Sequence, residues 1–199
     1  MKKIFFGIFG ALLFASAANA EIDAAKAENF IKDLTRQGIE EIINADVSKQ
    51  EKDARFYRLF NENLDMNKIG QFVLGRYWRA STPEQKKEFI DVYRELNIKT
   101  WGSRFDEFKG KKFVFKGTTP LNSKNASNQI FVDTEVPMEE GKPVKVVWRV
   151  EDSKKGYKVV DIIIENVSLA ISARNEYTSV IQKSPNGVDG LIAELKAKL

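Results

Sequence analysis

The 199-residue chain contains no cysteine and no histidine. Without cysteine it can form no disulfide, thiolate nucleophile or sulfur metal site, and it can carry no lipid on a cysteine. Without histidine it has no imidazole acid or base, and therefore no serine–histidine or cysteine–histidine nucleophile pair. Gly-rich phosphate loops, the serine nucleophile elbow and the serine-x-x-lysine dyad are also missing. These absences predict a protein without cofactor or metal and exclude most classes of enzyme.

The charge balance is only weakly basic. The formal net charge is +4, and Lys2 and Lys3 contribute two of these charges. A nucleic-acid-binding domain usually has a stronger and more clustered positive charge. A local group at Lys109, Lys111 and Lys112 fits the solvated end of a hairpin or helix better than a phosphate-contacting patch. We therefore expect no nucleic-acid partner.

The first twenty residues have the pattern of a signal peptide. Lys2 and Lys3 precede an apolar run, Ile4 to Phe14, and Ala18-Asn19-Ala20 supplies the small residues of a cleavage site. This run is too short to span a bilayer, and no second long apolar run follows it. We expect cleavage after Ala20 and release of residues 21–199 into a bacterial periplasm as a single domain.

Helical periodicity dominates the first half of the chain. Apolar residues recur at three- and four-residue steps, and Thr82, Pro83 and Gln85 have the pattern of a capping box. The predicted helices are Ala24 to Ala45, Lys49 to Asn63, Met66 to Trp78 and one beginning after Thr82, with Ser172 to Gln182 and Val188 to Lys198 ending the chain.

From Lys111 onwards the period of the apolar residues becomes two. Short turns separate the alternating segments, which favours antiparallel neighbours with one apolar face that helices must cover. The predicted class is α+β, a bent antiparallel four-stranded sheet packed against N- and C-terminal helices. The four predicted strands are marked by Phe113/Phe115, Ile130/Val132/Thr134/Val136, Val144/Val146/Trp148/Val150 and Val160/Ile162/Ile164.

Acidic residues of the other sheet face are the remaining catalytic candidates. Asp133, Glu135, Asp161 and Glu165 could supply a carboxylate pair of the glycosidase kind. Acids are also expected wherever one face of such a sheet meets water. We favour this solvated-face interpretation and predict no catalytic residue, which leaves an enzyme as the third-ranked hypothesis.

Aromatic residues are numerous, with 14 Phe, five Tyr and three Trp, although four of the Phe lie within the first twenty residues. Composition alone favours a packed core over a ligand pocket.

Several segments taken together resemble one protein family. They occur in order from Phe72 to Leu191. Any one of them alone is a weak signal, and the first also fits a plain amphipathic helix with a capped successor. The segments are Phe72-Val73-Leu74-Gly75-Arg76-Tyr77-Trp78-Arg79 with Thr82-Pro83-Glu84-Gln85, then Val147-Trp148-Arg149, Glu165-Asn166-Val167-Ser168, Arg174-Asn175-Glu176-Tyr177 and Gly187-Val188-Asp189-Gly190-Leu191. The pattern resembles the MlaC family of periplasmic phospholipid-binding proteins, also called the toluene-tolerance family.

The resemblance implies a deep lipid cavity between the sheet and the helices, with the lipid head group near solvent. Three arginines, Arg76, Arg79 and Arg149, could then meet a lipid phosphate at the mouth, or else cover core or pair with acids. The Arg174-Asn175-Glu176 block is expected to have packing and capping duties only. The lipid-binding candidates are Phe72, Val73, Tyr77, Leu96, Trp101, Phe105, Val146, Trp148, Val150, Ile162, Ile164 and Val167.

The resemblance also implies a function and partners. It predicts a monomeric, non-enzymatic carrier that shuttles phospholipid, as cargo and not as cofactor, between an outer-membrane lipoprotein complex and an inner-membrane ABC-transporter complex. The alternative is a periplasmic protein-interaction module or chaperone whose aromatic residues form a solid core. Extraction of lipid from the purified protein separates these two hypotheses.

Overall fold

The chain forms helices first, an antiparallel sheet second and two helices last. A computed structural model describes residues 22–102, 105–121, 128–138 and 141–199. The predicted signal peptide, its cleavage site and the predicted turn at Asn122-Ser123 lie outside these residues. The elements are α1 (Ala24–Arg36), α2 (Lys49–Asn63), α3 (Met66–Leu74), α4 (Arg76–Ala80), α5 (Pro83–Gly102), β1 (Val114–Pro120), β2 (Gln129–Val136), β3 (Val144–Ser153), β4 (Gly156–Ile164), β5 (Val167–Ser168), α6 (Leu169–Lys183) and α7 (Gly187–Lys196).

Side-chain caps fix where the helices begin. The Thr82 amide donates to Gln85 Oε1 at 3.0 Å, and the Gln85 amide donates to Thr82 Oγ1 at 3.2 Å, which confirms the predicted capping box. Asp65 caps α3 by accepting from the Lys68 amide at 3.0 Å, and Ser48 caps α2 in the same way. These caps satisfy amide groups that the first helical turn leaves without partners.

The first predicted helix changes its winding after Arg36. Residues Gln37–Ile43 form a π-helix, in which the Asn44 amide donates to Ile39 O at 2.9 Å. Two side chains of α2 satisfy carbonyls of this segment: Lys52 Nζ donates to Ile43 O at 2.9 Å and Arg55 Nη1 donates to Glu41 O at 2.8 Å. A π-helix is rare and is often found at functional sites.

The helix predicted from Met66 to Trp78 is two helices, and that prediction was wrong. Gly75 separates them with φ 54° and ψ −120°, a conformation that L residues with a side chain avoid. The break therefore places Phe72 and Tyr77 on two different helices, α3 and α4.

The sheet has five strands in the order β1-β2-β3-β4-β5, and every neighbouring pair is antiparallel. Four strands were predicted, and the additional strand β5 is only two residues long, too short to show a period of two. It pairs with β4 through a tight hairpin in which Glu165 and Asn166 have φ values of 48° and 65°.

Strand β4 contains a bulge at Val160. Trp148 is opposite Ile162 and Val150 is opposite Val159, so Val160 is the extra residue. The predicted alternating set Val160/Ile162/Ile164 is therefore wrong at its first member, because Val159 takes the buried position.

The helices cover one face of the sheet, as predicted. Ile130, Val132 and Val136 of β2 are almost completely buried on that face. Helix α1 packs across β1, β2 and β3, while α2, α3 and α6 pack on β4. The Asp65 amide at the α2–α3 junction donates to Val159 O at 3.0 Å and ties this junction to the sheet. Among the described helices, none has the length and apolar character needed to cross a bilayer.

Candidate functional site

An apolar pocket lies between the covered face of β3 and β4 and the N-terminal helices. The cavity volume is about 180 Å³, and the space free of protein atoms out to the open mouth is about 1200 Å³. Its helical wall includes Leu34, Gly38, Ile39, Ile43, Phe56, Leu59, Phe60, Met66, Ile69 and Trp101, and its sheet wall includes Val146, Trp148, Val159, Ile162 and Ile164. The pocket therefore offers an apolar wall on both its helical and its sheet side.

The polar groups of the pocket wall are occupied by the protein itself. Thr35 Oγ1 donates to Ile31 O at 2.8 Å, and Asn97 Nδ2 donates to Tyr93 O at 2.7 Å. Burial raises the pKa of Tyr93 to about 12, so its phenol is neutral at physiological pH. The described part of the chain has no buried side-chain nitrogen or oxygen without a partner. Apolar contact is thus the main interaction that this wall offers.

Asp161 is buried, which corrects the prediction that it lies on a solvated face. Only 7% of its surface is exposed. Its carboxylate accepts from Ser168 Oγ at 2.6 Å and from the Ala170 amide at 3.1 Å. Asp161 therefore joins β4 to the N-terminus of α6, where a carboxylate stabilises the first turn.

The other three acids of the predicted catalytic set have separate partners. Asp133 accepts from Thr119 Oγ1 at 3.1 Å, Glu135 pairs with Lys116 Nζ at 3.2 Å, and Glu165 accepts from the Lys145 amide. They do not line the pocket. Within the described residues no group of three or more acids lies close enough together to hold a metal ion.

Trp148 forms part of the pocket wall in a fixed orientation. Its Nε1 donates to Thr134 Oγ1 at 3.1 Å, and the edge of Phe113 meets its ring at a centroid distance of 5.8 Å. Phe108 stacks on Phe113 at 6.4 Å, which extends the aromatic wall away from the sheet. The polar indole nitrogen has its partner outside the pocket. The Trp148 ring therefore presents an apolar surface to the pocket.

The structure brings five of the twelve lipid-binding candidates into the pocket wall. The other described candidates lie elsewhere: Val73 and Val150 are fully buried in solid core, and Leu96 and Tyr77 pack beside it. Phe72 and Val167 are 37% and 55% exposed, because Phe72 is not on the buried side of α3 and Val167 lies on the edge strand. The five candidates that line the pocket are Trp101, Val146, Trp148, Ile162 and Ile164. The side chain of the twelfth candidate, Phe105, lies outside the described set.

None of the three head-group candidates lines the pocket. Arg149 lies on the opposite face of β3 from Trp148, and its Nε donates to Gln129 Oε1 at 2.8 Å. Arg76 and Arg79 are exposed on α4. The structure therefore separates these three arginines from the apolar wall.

Several pocket residues were missed by sequence reasoning. Gly38, Ile39, Phe56 and Phe60 line the pocket from the π-helix and α2. Helical spacing indicated that Phe56 and Phe60 face inward, but the same spacing serves solid core and pocket wall alike. The π-helix gave no pattern that single-sequence periodicity could detect.

The fold and the pocket define a class, an α+β protein with an apolar chamber between a curved antiparallel sheet and its covering helices. The comparisons agree with this class. The MlaC protein family matches residues 24–197, so the chain belongs to the MlaC family, which confirms the resemblance seen in the sequence.

Two known proteins are similar to this chain over most of its length. The intermembrane phospholipid transport system binding protein MlaC of Haemophilus influenzae is 22% identical, over 94% of this chain and 91% of that protein. The phospholipid-binding protein from Ralstonia solanacearum, solved in complex with a phospholipid, is 25% identical with a TM-score of 0.73, over 86% of this chain and 96% of that one.

Proposed function

We propose that this protein is a periplasmic carrier that holds the acyl chains of a phospholipid in the apolar pocket and moves the lipid between membranes. The pocket is the observation that carries the proposal. Support comes from membership of the MlaC family and from the likeness to a protein solved with bound phospholipid. The proposed cargo is a phospholipid, and the proposed role involves no catalysis.

Apolar burial is the proposed source of affinity. Each methylene transferred out of water contributes about 0.8 kcal/mol, so about ten of them contribute about 8 kcal/mol before the costs of binding. Such burial requires no directional contact, and the polar atoms of the wall are already engaged. The pocket can therefore accept chains of different length, as a carrier of mixed lipids must.

The proposed route follows from the same physics. Chains that leave the pocket directly into water lose the full free energy of burial. A partner that aligns its own apolar channel with the pocket avoids this cost. We propose that an outer-membrane lipoprotein complex and an inner-membrane ABC-transporter complex are these partners, and that the carrier is exported by its signal peptide and acts as a monomer.

The test is the lipid content of protein purified without detergent. We expect native mass spectrometry to show a phospholipid adduct at a substantial fraction of one per chain, and solvent extraction to release it. A bare polypeptide mass, together with failure to take up lipid from micelles or vesicles, contradicts the proposal. That result would favour a solid-core interaction module.

A further inference from the structure

Three arginines on α4 and α6 have no acidic partner among the described residues. In the described part of the chain, Arg76, Arg79 and Arg174 form no ion pair with any carboxylate. Other arginines do form such pairs, at 2.8–3.7 Å, and these are Arg36, Arg55, Arg58 and Arg94. Arg149 on β3 also forms no such pair with a described residue, but its Nε donates to Gln129 Oε1 at 2.8 Å.

The break at Gly75, where α4 begins, lies against the side chain of Arg174 on α6. A Cβ atom at Gly75 would lie 2.9 Å from Nη2 of Arg174, so the guanidinium of Arg174 rests against the bare backbone next to Arg76. Arg76 and Arg79 are three residues apart on α4 and therefore share a face. Positive charges on one part of a surface gain from an anion that neutralises them.

Aromatic rings position two of these guanidinium groups without neutralising them. Arg174 lies over Phe72 at 5.0 Å from the ring centroid, and Arg76 lies over Tyr77 at 4.9 Å and donates to its hydroxyl at 2.8 Å. Phe72 is 37% exposed, and Ile171, one helical turn before Arg174, is 51% exposed. The positive charges therefore sit beside apolar side chains that reach the solvent.

We infer that this arginine corner, formed by Phe72, Arg76, Arg79, Ile171 and Arg174, docks the protein onto a membrane surface that contains anionic phospholipid. Guanidinium groups bind phosphate oxygens in a bidentate manner. Exposed rings and aliphatic side chains beside them suit the level of the lipid head groups. The corner residues do not line the apolar pocket. Arg76 and Arg79 are exposed and Arg174 is half-buried, and lipid phosphates that diffuse laterally can adjust to the three guanidiniums.

The inference extends the proposed function, because a lipid carrier has to approach a membrane, but the docking surface is separate from the cargo pocket. Each basic residue near an anionic surface strengthens binding about fivefold, so three of them give about a hundredfold. Contact of this strength is reversible and weakens with salt. A carrier needs such reversibility in order to leave the membrane.

The experiment is flotation of the protein with vesicles of phosphatidylcholine alone and of phosphatidylcholine mixed with phosphatidylglycerol. The variant Arg76→Gln/Arg79→Gln/Arg174→Gln is compared with Lys142→Gln/Lys154→Gln/Lys155→Gln, which removes the same charge from exposed lysines elsewhere. We expect wild type and the lysine variant to bind the mixed vesicles at low salt. The arginine variant should bind about a hundredfold more weakly.

The proposed docking surface is wrong if wild type binds mixed vesicles no better than neutral ones. It is also wrong if both triple variants lose binding equally. Binding of the wild type but not of the arginine variant to an acidic protein, without vesicle binding, also overturns it. If the arginine triple fails to give a folded circular dichroism spectrum, Arg79→Gln alone should still weaken vesicle binding about fivefold. Lipid content and lipid uptake are measured separately. Protein that is bare and takes up no lipid, but still floats through the arginine corner, therefore refutes the cargo proposal and leaves the docking surface standing.

Discussion

The indole Nε1 of Trp148 donates a hydrogen bond to Oγ1 of Thr134 at 3.1 Å, which joins β3 to β2 behind the pocket wall. The Thr134 hydroxyl in turn donates to Val146 O at 2.6 Å, and Thr134 is completely buried. One hydroxyl therefore serves both as acceptor and as donor, and it holds the largest side chain of the sheet wall in place.

Thr134→Val should destabilise the protein although it preserves the shape of the side chain. The indole N–H loses its acceptor and the Val146 carbonyl loses one donor, and an unsatisfied buried group costs about 1–3 kcal/mol. Thermal unfolding measures the loss. Thr134→Ser is the control because it keeps the hydroxyl, and a valine variant that melts with wild type would show that this bond contributes no stability.

Trp148→Ala should cost less stability than truncation of a solid-core aromatic, although it removes more atoms. Trp148 borders the pocket, whereas Phe89 is completely buried in the core. We expect about 3–5 kcal/mol for Phe89→Ala and clearly less for Trp148→Ala. Melting curves and lipid content of both variants test this. An equal loss of stability would mean that Trp148 is packed as core.

Ile162→Asp should abolish lipid loading. Ile162 lines the pocket on β4, and an ionised carboxylate beside acyl chains is costly to bury. The control is Val167→Asp on the neighbouring strand, because Val167 is 55% exposed and outside the pocket. Lipid content by native mass spectrometry is the measurement. A folded Ile162→Asp protein with normal lipid content would show that the cargo does not bind at this face of the sheet.

Gly75→Ala should destabilise the protein by about 1–3 kcal/mol, because alanine is strained at φ 54° and ψ −120°. The new methyl group also displaces Arg174 from its position against Gly75. Gly141→Ala is the matched control, since its φ is also positive at 87° but no atom lies within 4 Å of the added carbon. Urea titration gives the free energies. If both variants unfold at the same urea concentration, the contact between Gly75 and Arg174 contributes nothing to stability.

Stability should fall as the pH rises from about 10 towards 12. Burial raises the pKa of Tyr93 to about 12 and also raises the pKa of Tyr177, whereas a tyrosine in an unfolded chain titrates at about 10. The unfolded state therefore loses these protons first, and alkali favours it. The stability that the two buried tyrosines contribute is fully present below about pH 10. Denaturant unfolding as a function of pH, with Tyr93→Phe as the comparison, should show a shallower decline in the variant.

Local sequence signals predicted much of the fold. The boundaries of α2 and the capping box at Thr82 were predicted correctly because a cap involves residues only three positions apart. The alternating burial of β2 was also predicted correctly, because its pattern repeats over eight residues. Such short-range patterns depend on backbone geometry that neighbouring residues determine.

The errors arose where one residue interrupts a pattern. Gly75 splits a helix whose apolar spacing continues on both sides, and the bulge at Val160 shifts the buried face of β4 by one position. Asp161 lies beside this bulge, so a position predicted to be solvated became the buried partner of Ser168 and Ala170.

The sequence by itself determined the class, the family and the absence of histidine and cysteine chemistry, because composition, caps and ordered motifs are properties of the chain. Only the tertiary structure decided which apolar residues enclose space and which fill it. Trp148 and Val150 belong to one strand face with the same period, yet one lines the pocket and the other is solid core. That difference depends on which helix lies opposite each residue, and helix placement is set by contacts far apart in sequence.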